Sequence, residues 1–445
     1  MRRVSVGRPV RLGACAVAAA GLLAAGLASP ASADDQQSDQ LWIIVPYEQK
    51  LPPGTGGEEP EPRSFGVSLH HDNSNFTVTD GEVTVDVSEL AGVAEVTWPE
   101  NCAPSGAGAV CHVPEVPVTG NDEQIRLTVR AADGAVAGAQ GRITYEATAT
   151  GGPQGTLTAP RESFETTVTV ASGPDLAIAG IDPIERAEPG DDRTIPFELT
   201  NNGNESAHGF TVRLMASYGL KEMTEYDACT YTRSSDDEYA PMTHATCSFD
   251  RVLAPGESFR LPRPLKVEFA RHALAERLDI DVEPGGGAED LDHHDNYVAL
   301  ELGADNTADF SVTGDAVSGA AGETVTARLT FGNSGPAWFG NLGSGDPVAV
   351  VQLNVPEGTT VTGVPSGCIP RTLSGGYHPR RTGAPRYDCE LPYWVPEKVE
   401  RSYVFSLRID TVTSGTTGAV SVRPGFGTFT FDPNPANNTA VLAVN

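Results

Sequence analysis

Seven consecutive residues, Asp290 to Asn296, combine three carboxylates with two imidazoles in the stretch DLDHHDN. Carboxylate oxygens are ligands that Ca²⁺ prefers, and imidazoles suit Zn²⁺ or Ni²⁺, so the residue types of a metal site are present. Adjacent strand residues point to opposite faces, so His293 and His294 could share one ion only in an irregular turn. A structural turn rich in Asp and Asn is the alternative interpretation.

The first 33 residues have the pattern of a signal peptide. Four arginines between positions 2 and 11 precede an apolar run, Ala14 to Ala28, which is followed by the cleavage pattern Ala31-Ser32-Ala33. An apolar run of about 15 residues is too short to span a bilayer, which takes about 20. We therefore predict residues 1–33 to be a signal peptide and the protein to be secreted and extracellular, or loosely associated with the cell surface, with no membrane span.

The chain is acidic, with a net charge of −29, and the signal peptide contains no acidic residue. Nucleic acid and anionic membranes are poor partners for such a chain, because binding them requires a basic surface. An acidic surface that keeps a secreted protein soluble is the favoured interpretation. Loading with divalent cations, or a cationic partner, is the alternative.

Cysteines give the period of an internal repeat. Six remain beyond the signal peptide, in three close pairs about 130 residues apart. An even number of cysteines in an exported chain indicates disulfides. We predict one local disulfide in each copy of the repeat, namely Cys102–Cys111, Cys229–Cys247 and Cys368–Cys389.

The flanking sequence supports three copies of one unit. A glycine lies ten residues before the first cysteine of each pair, at Gly92, Gly219 and Gly358, and an alternating, strand-like run precedes each glycine. Only Ala270 to Leu278 could form a short helix. Short strands separated by Gly, Pro, Asn and Asp are typical of antiparallel sandwiches. We predict an all-β chain of three consecutive immunoglobulin-like (Ig-like) β-sandwiches, at residues 38–173 (divergent), 174–303 and 304–445.

Several turn-forming stretches of copies two and three carry a resemblance to a known family. They are PDLAI from Pro174, EPGDD from Glu188, FELTNNGN from Phe197, LAPGES from Leu253 and DPNPANNTA from Asp432. They resemble the Ig-like repeats of bacterial surface proteins, in particular the bacterial cell-adhesion-related domain and the conserved-repeat domain of cell-wall proteins. The resemblance covers copy one poorly. It implies non-enzymatic display, spacing or adhesion, and it specifies no ligand.

Aligning copies two and three on their second cysteines tests the metal interpretation of DLDHHDN. Asn296 then falls on Asn438, and the two histidines fall on the dipeptide Pro435-Ala436, which offers no side-chain ligand. Both copies keep an Asp/Asn-rich turn before the last strand. We therefore predict a structural turn, no metal and no cofactor, with calcium as the alternative at copy two.

Motifs for catalysis are absent from the sequence: HExxH, GxSxG, GxxxxGK[ST] and GxGxxG after a strand. Paired cysteines leave no free thiol as a nucleophile. We therefore predict no catalytic residues and a protein that is not an enzyme. It would act as a surface or matrix scaffold or an adhesive rod; a soluble carbohydrate- or protein-binding module and a secreted hydrolase are the alternatives.

Copy three contains the candidate binding residues. It has an insertion within the stretch PAWFGNLGSGDP, and it has the longest loop between paired cysteines. If loops alternate between the two ends of a sandwich, these two loops share an end and present aromatic and arginine side chains to an extracellular protein or glycan. The alternative is that the aromatic residues cover the core. The candidate residues are Trp338, Phe339, Tyr377, Arg380, Arg381, Arg386 and Tyr387.

Overall fold

The computed structural model describes residues 38–54, 59–118, 123–234, 240–425 and 427–445, so the predicted signal peptide lies outside the described residues. Within these ranges the chain contains β-strands, three short 3₁₀ turns (Ser88–Leu90, Arg161–Ser163 and Pro435–Asn438) and no α-helix. The strands form antiparallel sheets in each copy. The prediction of an all-β, Ig-like sandwich fold is confirmed.

Copy one has a four-stranded sheet of order β1-β3-β8-β5 and a larger sheet of order β2-β11-β9-β4-β7-β6, with β10 paired to β9. Its strands are β1 (Leu41–Ile44), β2 (Glu48–Leu51), β3 (Arg63–His71), β4 (Val78–Asp86), β5 (Ala94–Thr97), β6 (Cys102–Ser105), β7 (Gly108–Val116), β8 (Ile125–Ala131), β9 (Gln140–Thr150), β10 (Thr156–Ala159) and β11 (Glu165–Val170).

Copy two has a six-stranded sheet of order β13-β23-β22-β16-β19-β18 and two small sheets, β12-β15-β20 and β14-β21-β17. Its strands are β12 (Leu176–Ile178), β13 (Ile184–Ala187), β14 (Asp192–Ile195), β15 (Glu198–Asn201), β16 (Ala207–Ala216), β17 (Leu220–Lys221), β18 (Cys229–Arg233), β19 (Thr243–Leu253), β20 (Ser258–Arg260), β21 (Leu265–Phe269), β22 (Ala275–Pro284) and β23 (Tyr297–Ala304).

Copy three has sheets of order β24-β26-β33-β29 and β25-β35-β34-β28-β31-β30, and a short β27-β32 ladder. Its strands are β24 (Phe310–Thr313), β25 (Ala316–Val317), β26 (Thr324–Asn333), β27 (Phe339–Gly340), β28 (Ala349–Asn354), β29 (Thr359–Gly363), β30 (Cys368–Arg371), β31 (Arg386–Glu390), β32 (Trp394–Val395), β33 (Val399–Ile409), β34 (Thr416–Pro424) and β35 (Thr439–Val444).

The three copies share one topology. In each, the first strand pairs antiparallel with a strand of the smaller sheet, as β1 with β3, β12 with β15 and β24 with β26. A short early strand then crosses to the other sheet and pairs parallel with the last strand of the copy, as β2 with β11, β13 with β23 and β25 with β35. The sequence repeat is therefore a repeat of strand pairing.

Alternation along the strands explains where the core lies. In β9 the buried positions are every second residue, including Ile143, Tyr145 and Ala147, while the intervening side chains are more exposed. This period of two is the expected pattern for a strand with one face on a core. Buried hydrophobic residues form three clusters, one per copy, and Leu274 of copy two belongs to the cluster of copy three.

The helix predicted over Ala270 to Leu278 is wrong. Ala275 begins β22, which pairs with both β16 and β23 in the centre of the six-stranded sheet. Buried Leu278, Ile280 and Val282 alternate with a period of two that continues beyond the predicted helix. The cross-strand partners on both sides favour the extended conformation over the local helix propensity.

Disulfides occur at the three predicted pairs, Cys102–Cys111, Cys229–Cys247 and Cys368–Cys389. In each, the cysteines are directly opposite one another on the last two strands of the larger sheet. Each bridge therefore fastens an edge strand to its neighbour within one sheet.

Candidate functional site

The DLDHHDN segment forms an irregular turn that lies against copy one. Asp290 is fully buried, and its Oδ2 accepts a hydrogen bond of 2.9 Å from the backbone N–H of Leu176, while its Oδ1 accepts one of 3.0 Å from Asp292 N–H. These bonds fix the entry into β12 and the turn itself. These contacts are those of a structural turn, the role that the sequence predicts for this segment.

Three carboxylates come together at this turn. Asp290 and Asp295 lie beside Asp175, which immediately precedes β12, and one oxygen of each lies within 4.8 Å of the others. We call these three residues the acidic cluster. Sequence reasoning missed Asp175, because 115 positions separate it from Asp290 and only the fold brings them together.

Copy one supplies the cations that face the acidic cluster. Arg63 Nη2 is 2.5 Å from Asp175 Oδ2 and also donates to the backbone carbonyl of Asn202. Lys50 Nζ donates to the carbonyl of Asp290 and pairs with Glu289 at 3.4 Å. The acidic turn of copy two is therefore the contact surface for copy one.

The surroundings of the acidic cluster disfavour the ionisation of all three carboxyl groups at once. Burial, together with repulsion from the neighbouring carboxylates, raises the pKa of Asp295 to about 7. Burial also raises the pKa of Asp175 to about 6, an effect that the guanidinium of Arg63 opposes. Each anion is thus destabilised by loss of water and by the other anions.

His293 and His294 point away from the cluster and are exposed. The Nδ1 of His294 lies 3.1 Å from Asp292 Oδ1, and the side chain of His294 remains 79% exposed. We expect the double substitution His293→Ala and His294→Ala to change the free energy of unfolding by less than about 0.5 kcal/mol, as is usual for surface positions. Chemical denaturation checks this, and a larger loss would show that the imidazoles stabilise the turn.

Trp338 of the copy-three insertion is fully buried at the junction with copy two. Its indole Nε1–H donates a hydrogen bond of 2.6 Å to Glu276 Oε1, and its backbone N–H donates to the carbonyl of His272. The ring packs edge-on against Tyr218, with 5.5 Å between centroids. Trp338 therefore joins two copies and is not available to a partner.

Glu276 of β22 is the polar centre of this second junction. Besides the indole, it accepts hydrogen bonds from the Ser217 hydroxyl and from the backbone N–H groups of Gly219 and Leu274. Burial raises the pKa of Glu276, and the four donated hydrogen bonds oppose this by stabilising the anion. Four donors to one buried carboxylate fix the position of the Glu276 side chain at the junction.

The prediction that the two copy-three loops share an end is wrong. The backbone N–H of Leu391 bonds to Ala349 at the start of β28, on the side of Trp338, whereas Val355 N–H bonds to Pro385 at its far end. The six residues of β28 separate the two loops by about 20 Å. The antiparallel ladder of β28 and β31 places the loop before β31 away from the junction.

Three other candidate binding residues of copy three also make their contacts within the fold. Tyr387 is fully buried, and its hydroxyl donates to the carbonyl of Arg381 and accepts from Ala384 N–H. Arg386 forms a two-bond ion pair with Asp388 and is mostly buried. Phe339 packs on Phe431, with centroids 4.2 Å apart. Each of these three side chains, like Trp338, is held by its own partner within the fold, so the four do not form a binding patch.

The remaining candidates are exposed on one loop. Tyr377 is 76% exposed, and the neighbouring Leu373 is 68% exposed. Arg380 and Arg381 are exposed as well, and among the described residues no ion pair involves either arginine. We call the loop from Thr372 to Pro385 the distal loop, because it lies at the end of copy three opposite copy two.

Sequence reasoning missed one exposed aromatic side chain in copy one. Trp42 lies on the edge strand β1, is 41% exposed, and borders a groove that Pro160 and Phe164 also line. The sequence LWII of β1 alternates buried and exposed positions, but all four residues are apolar, so no polar position indicates which face is outside.

Comparison with known proteins finds similarity among solved structures, at low sequence identity. No protein-family model and no curated protein matches the chain. Among solved structures, the C-terminal domain of the antigen I/II polypeptide BspA of Streptococcus agalactiae is 8% identical over 61% of this chain and 99% of that chain, with a TM-score of 0.19. A putative membrane-anchored protein of Corynebacterium diphtheriae is 10% identical over 91% of each chain, with a TM-score of 0.20.

A third solved structure, the C-terminal domain of the antigen I/II-family protein AspA of Streptococcus pyogenes, is 10% identical over 62% of this chain and 98% of that chain, with a TM-score of 0.19. TM-scores this low support no conclusion about the function of this chain. Among the described residues, no helix is both long and apolar enough to cross a membrane.

Proposed function

We propose that this protein is a secreted, non-enzymatic Ig-like repeat protein that acts as an extracellular scaffold or adhesive rod. Its domains are residues 38–173, 174–303 and 304–445. The observation that carries the proposal is that copy two contacts its neighbours through buried polar contacts at its two opposite ends. Such junctions hold neighbouring domains in a fixed arrangement, which is what a spacer requires.

The geometry of copy two supports an end-to-end arrangement. Asn202, which contacts Arg63 of copy one, lies just before β16, and Tyr218, which contacts copy three, lies just after it. The ten residues of β16 span about 33 Å. The junctions are therefore separated by the length of the sandwich, and the three copies extend in line.

Both junctions limit hinging. A fully buried Asp175 meets Arg63 at the first, and a fully buried Trp338 meets Glu276 at the second. Separating the copies would leave a charged or polar group without its partner, which costs about 1–3 kcal/mol per group. A rod with stiff junctions holds its ends at a fixed distance, and this is useful for display or adhesion.

The distal loop is the binding surface that suits this architecture. It lies at the end of copy three opposite copy two and presents Tyr377, Arg380 and Arg381, in a chain whose net charge is −29. Tyr and Arg are enriched at binding hot spots. Their combination suits an extracellular protein or glycan that carries acidic groups.

The charge reversal Arg380→Glu with Arg381→Glu should weaken binding at least about tenfold, because it replaces attraction by repulsion at the rim of the contact. Glycan and protein arrays identify the ligand, and titration of the wild type and the variant measures the effect. The melting temperature should stay within about 1 °C, since both side chains are exposed.

A matched control is Arg126→Glu with Arg401→Glu, which changes the net charge equally at exposed positions outside the distal loop. Equal weakening by both pairs would mean that overall charge, not the distal loop, governs binding. Trp42→Ala tests the groove of copy one in the same assay. Fractionation of the producing cells separates a scaffold, retained on the cell, from a soluble binder, released into the medium.

A further inference from the structure

Copies two and three differ in the turn that precedes their last strand, and one of the differing positions lies beside an acid at the start of the copy. In copy three, the Asn437 amide donates a hydrogen bond of 2.9 Å to Asp309 Oδ1. In copy two the equivalent residues are Asp295 and Asp175, so a carboxylate replaces the amide donor. The turn of copy three thus supplies a hydrogen-bond donor to the half-buried Asp309, whereas the turn of copy two places a second carboxylate beside the buried Asp175.

Two carboxylate oxygens of the acidic cluster are buried without a hydrogen-bond partner among the described residues. Asp175 is fully buried, and although its Oδ2 is paired with Arg63, its Oδ1 has no hydrogen-bond partner. Asp295 Oδ1 is also buried without a partner. Buried polar atoms in native proteins are nearly always paired, so these two carboxylate oxygens are available to ligate an ion.

Charge and geometry define the kind of cation. Of the two cations supplied by copy one, Lys50 pairs with Glu289, so Arg63 alone offsets the three carboxylates of the cluster. This leaves two negative charges, as many as a divalent ion neutralises. All donors are oxygens, which Ca²⁺ prefers, and oxygens bound on opposite sides of a Ca²⁺ ion at about 2.4 Å are about 4.8 Å apart. The three oxygens of the acidic cluster all lie within 4.8 Å of one another.

We propose that the acidic cluster of Asp175, Asp290 and Asp295 is a Ca²⁺ site at the junction between copies one and two. Each oxygen of Asp290 already accepts one backbone N–H and retains a second lone pair for the ion. The exposed histidines take no part. Because Asp175 also anchors Arg63 of copy one, the ion would strengthen that junction.

The test is calorimetric titration of the full chain, freed of metal with EDTA, with CaCl₂ at pH 7.5. We expect one equivalent to bind, with a dissociation constant of about 10⁻⁵ to 10⁻³ M. The melting temperature should rise by about 3 °C or more in 10 mM CaCl₂. No heat and no thermal shift up to 10 mM, at any pH from 6 to 8.5, would overturn the proposal and mean that the cluster holds only a proton.

Asp295→Asn copies the copy-three arrangement and serves as the decisive variant. Without calcium it should melt at a higher temperature than the wild type, because an amide donor replaces a repelling carboxylate. Its calcium affinity should fall at least about tenfold. A variant that binds calcium as tightly as the wild type contradicts the site.

The reverse substitution, Asn437→Asp, is the matched control in copy three. It should lower the melting temperature of the calcium-free protein and add a second calcium-dependent shift. A protein in which Asn437→Asp changes neither quantity would contradict the assignment of Asp295 as the residue that distinguishes the two turns. This proposal is independent of the distal loop, and its failure leaves the proposed adhesive function standing.

Discussion

Replacing Trp338 with Ala should lower the free energy of unfolding by about 4 kcal/mol, in the range measured for large aromatic residues truncated in protein interiors. Trp338 is fully buried, so the substitution leaves a cavity at the junction of copies two and three. It also removes the indole donor from the buried Glu276 carboxylate, which adds the cost of an incompletely satisfied charge.

Differential scanning calorimetry measures this loss of stability and shows whether it arises at the junction of copies two and three. Because Trp338 bonds to both His272 and Glu276 of copy two, the two copies should unfold together in the wild type and separately in the variant. Trp338→Phe keeps most of the ring and loses the N–H, so we expect a smaller loss of about 1–2 kcal/mol.

Trp42→Ala is the control, since Trp42 is 41% exposed on an edge strand and should cost less than about 1 kcal/mol. An unchanged calorimetric trace for Trp338→Ala, together with weaker ligand binding, would contradict the structural role. It would restore the interpretation of the aromatic insertion as a binding loop.

Local patterns in the sequence were sufficient to predict the fold. Period-two alternation and turn residues depend on contacts within a few positions, so strands such as β9 can be read from the sequence directly. The disulfides followed from their recurrence, and they join strands that are neighbours in both sequence and sheet, such as β30 and β31. In each case the determining contacts are local.

The junctions could not be predicted, because their contacts join residues that are far apart in sequence. Trp338 and Glu276 are separated by 62 positions, and Arg63 and Asp175 by more. An aromatic residue in a Gly-rich insertion has the same local signature whether it binds a partner or covers a junction. Only the position of the neighbouring copy decides between the two.

The glycine that lies ten residues before the first cysteine of each pair is favoured for different physical reasons in different copies. Gly92 and Gly358 have φ of 77° and 76°, values that favour glycine. Gly219 has no such dihedral; instead, a Cβ at this position would collide with the Glu276 carboxylate. The recurrent glycine therefore predicted the repeat correctly but concealed the second junction.

Asn201→Ala should destabilise copy two by about 4 kcal/mol or more. Asn201 is fully buried at the end of β15, where its Oδ1 accepts hydrogen bonds from the N–H groups of Asp175 and Gly203. Its Nδ2 donates to the carbonyls of Glu205 and Leu253. The substitution removes four hydrogen bonds to backbone groups, three of them buried, and each buried group left unpaired costs about 1–3 kcal/mol where water cannot replace the bond.

Copy three repeats this arrangement, so Asn333→Ala should have an effect of similar size there. Asn333 accepts from the N–H groups of Asp309 and Gly335 and donates to the carbonyls of Ala337 and Pro396. The shared turn sequences around Asn201 and Asn333 therefore encode a folding contact and not a ligand site.

Copy one shows what replaces this contact where the sequence diverges. His71 pairs with Leu41 of β1 as Asn201 pairs with Leu176 of β12, and it is equally buried. Its Nδ1 lies 2.9 Å from the Asp39 carboxylate. A buried ring and carboxylate thus take the place of the asparagine, which explains why copy one lacks the motif and keeps the fold.

Asn202→Ala is the matched control for Asn201→Ala. Asn202 is the adjacent residue, its side chain is exposed, and its known contacts use its backbone N–H and carbonyl, which alanine retains. Urea denaturation should show a change below about 0.5 kcal/mol for Asn202→Ala and a large loss for Asn201→Ala. Similar values for the two variants would mean that water replaces all four bonds of Asn201 and that the motif is conserved between copies two and three for some reason other than stability.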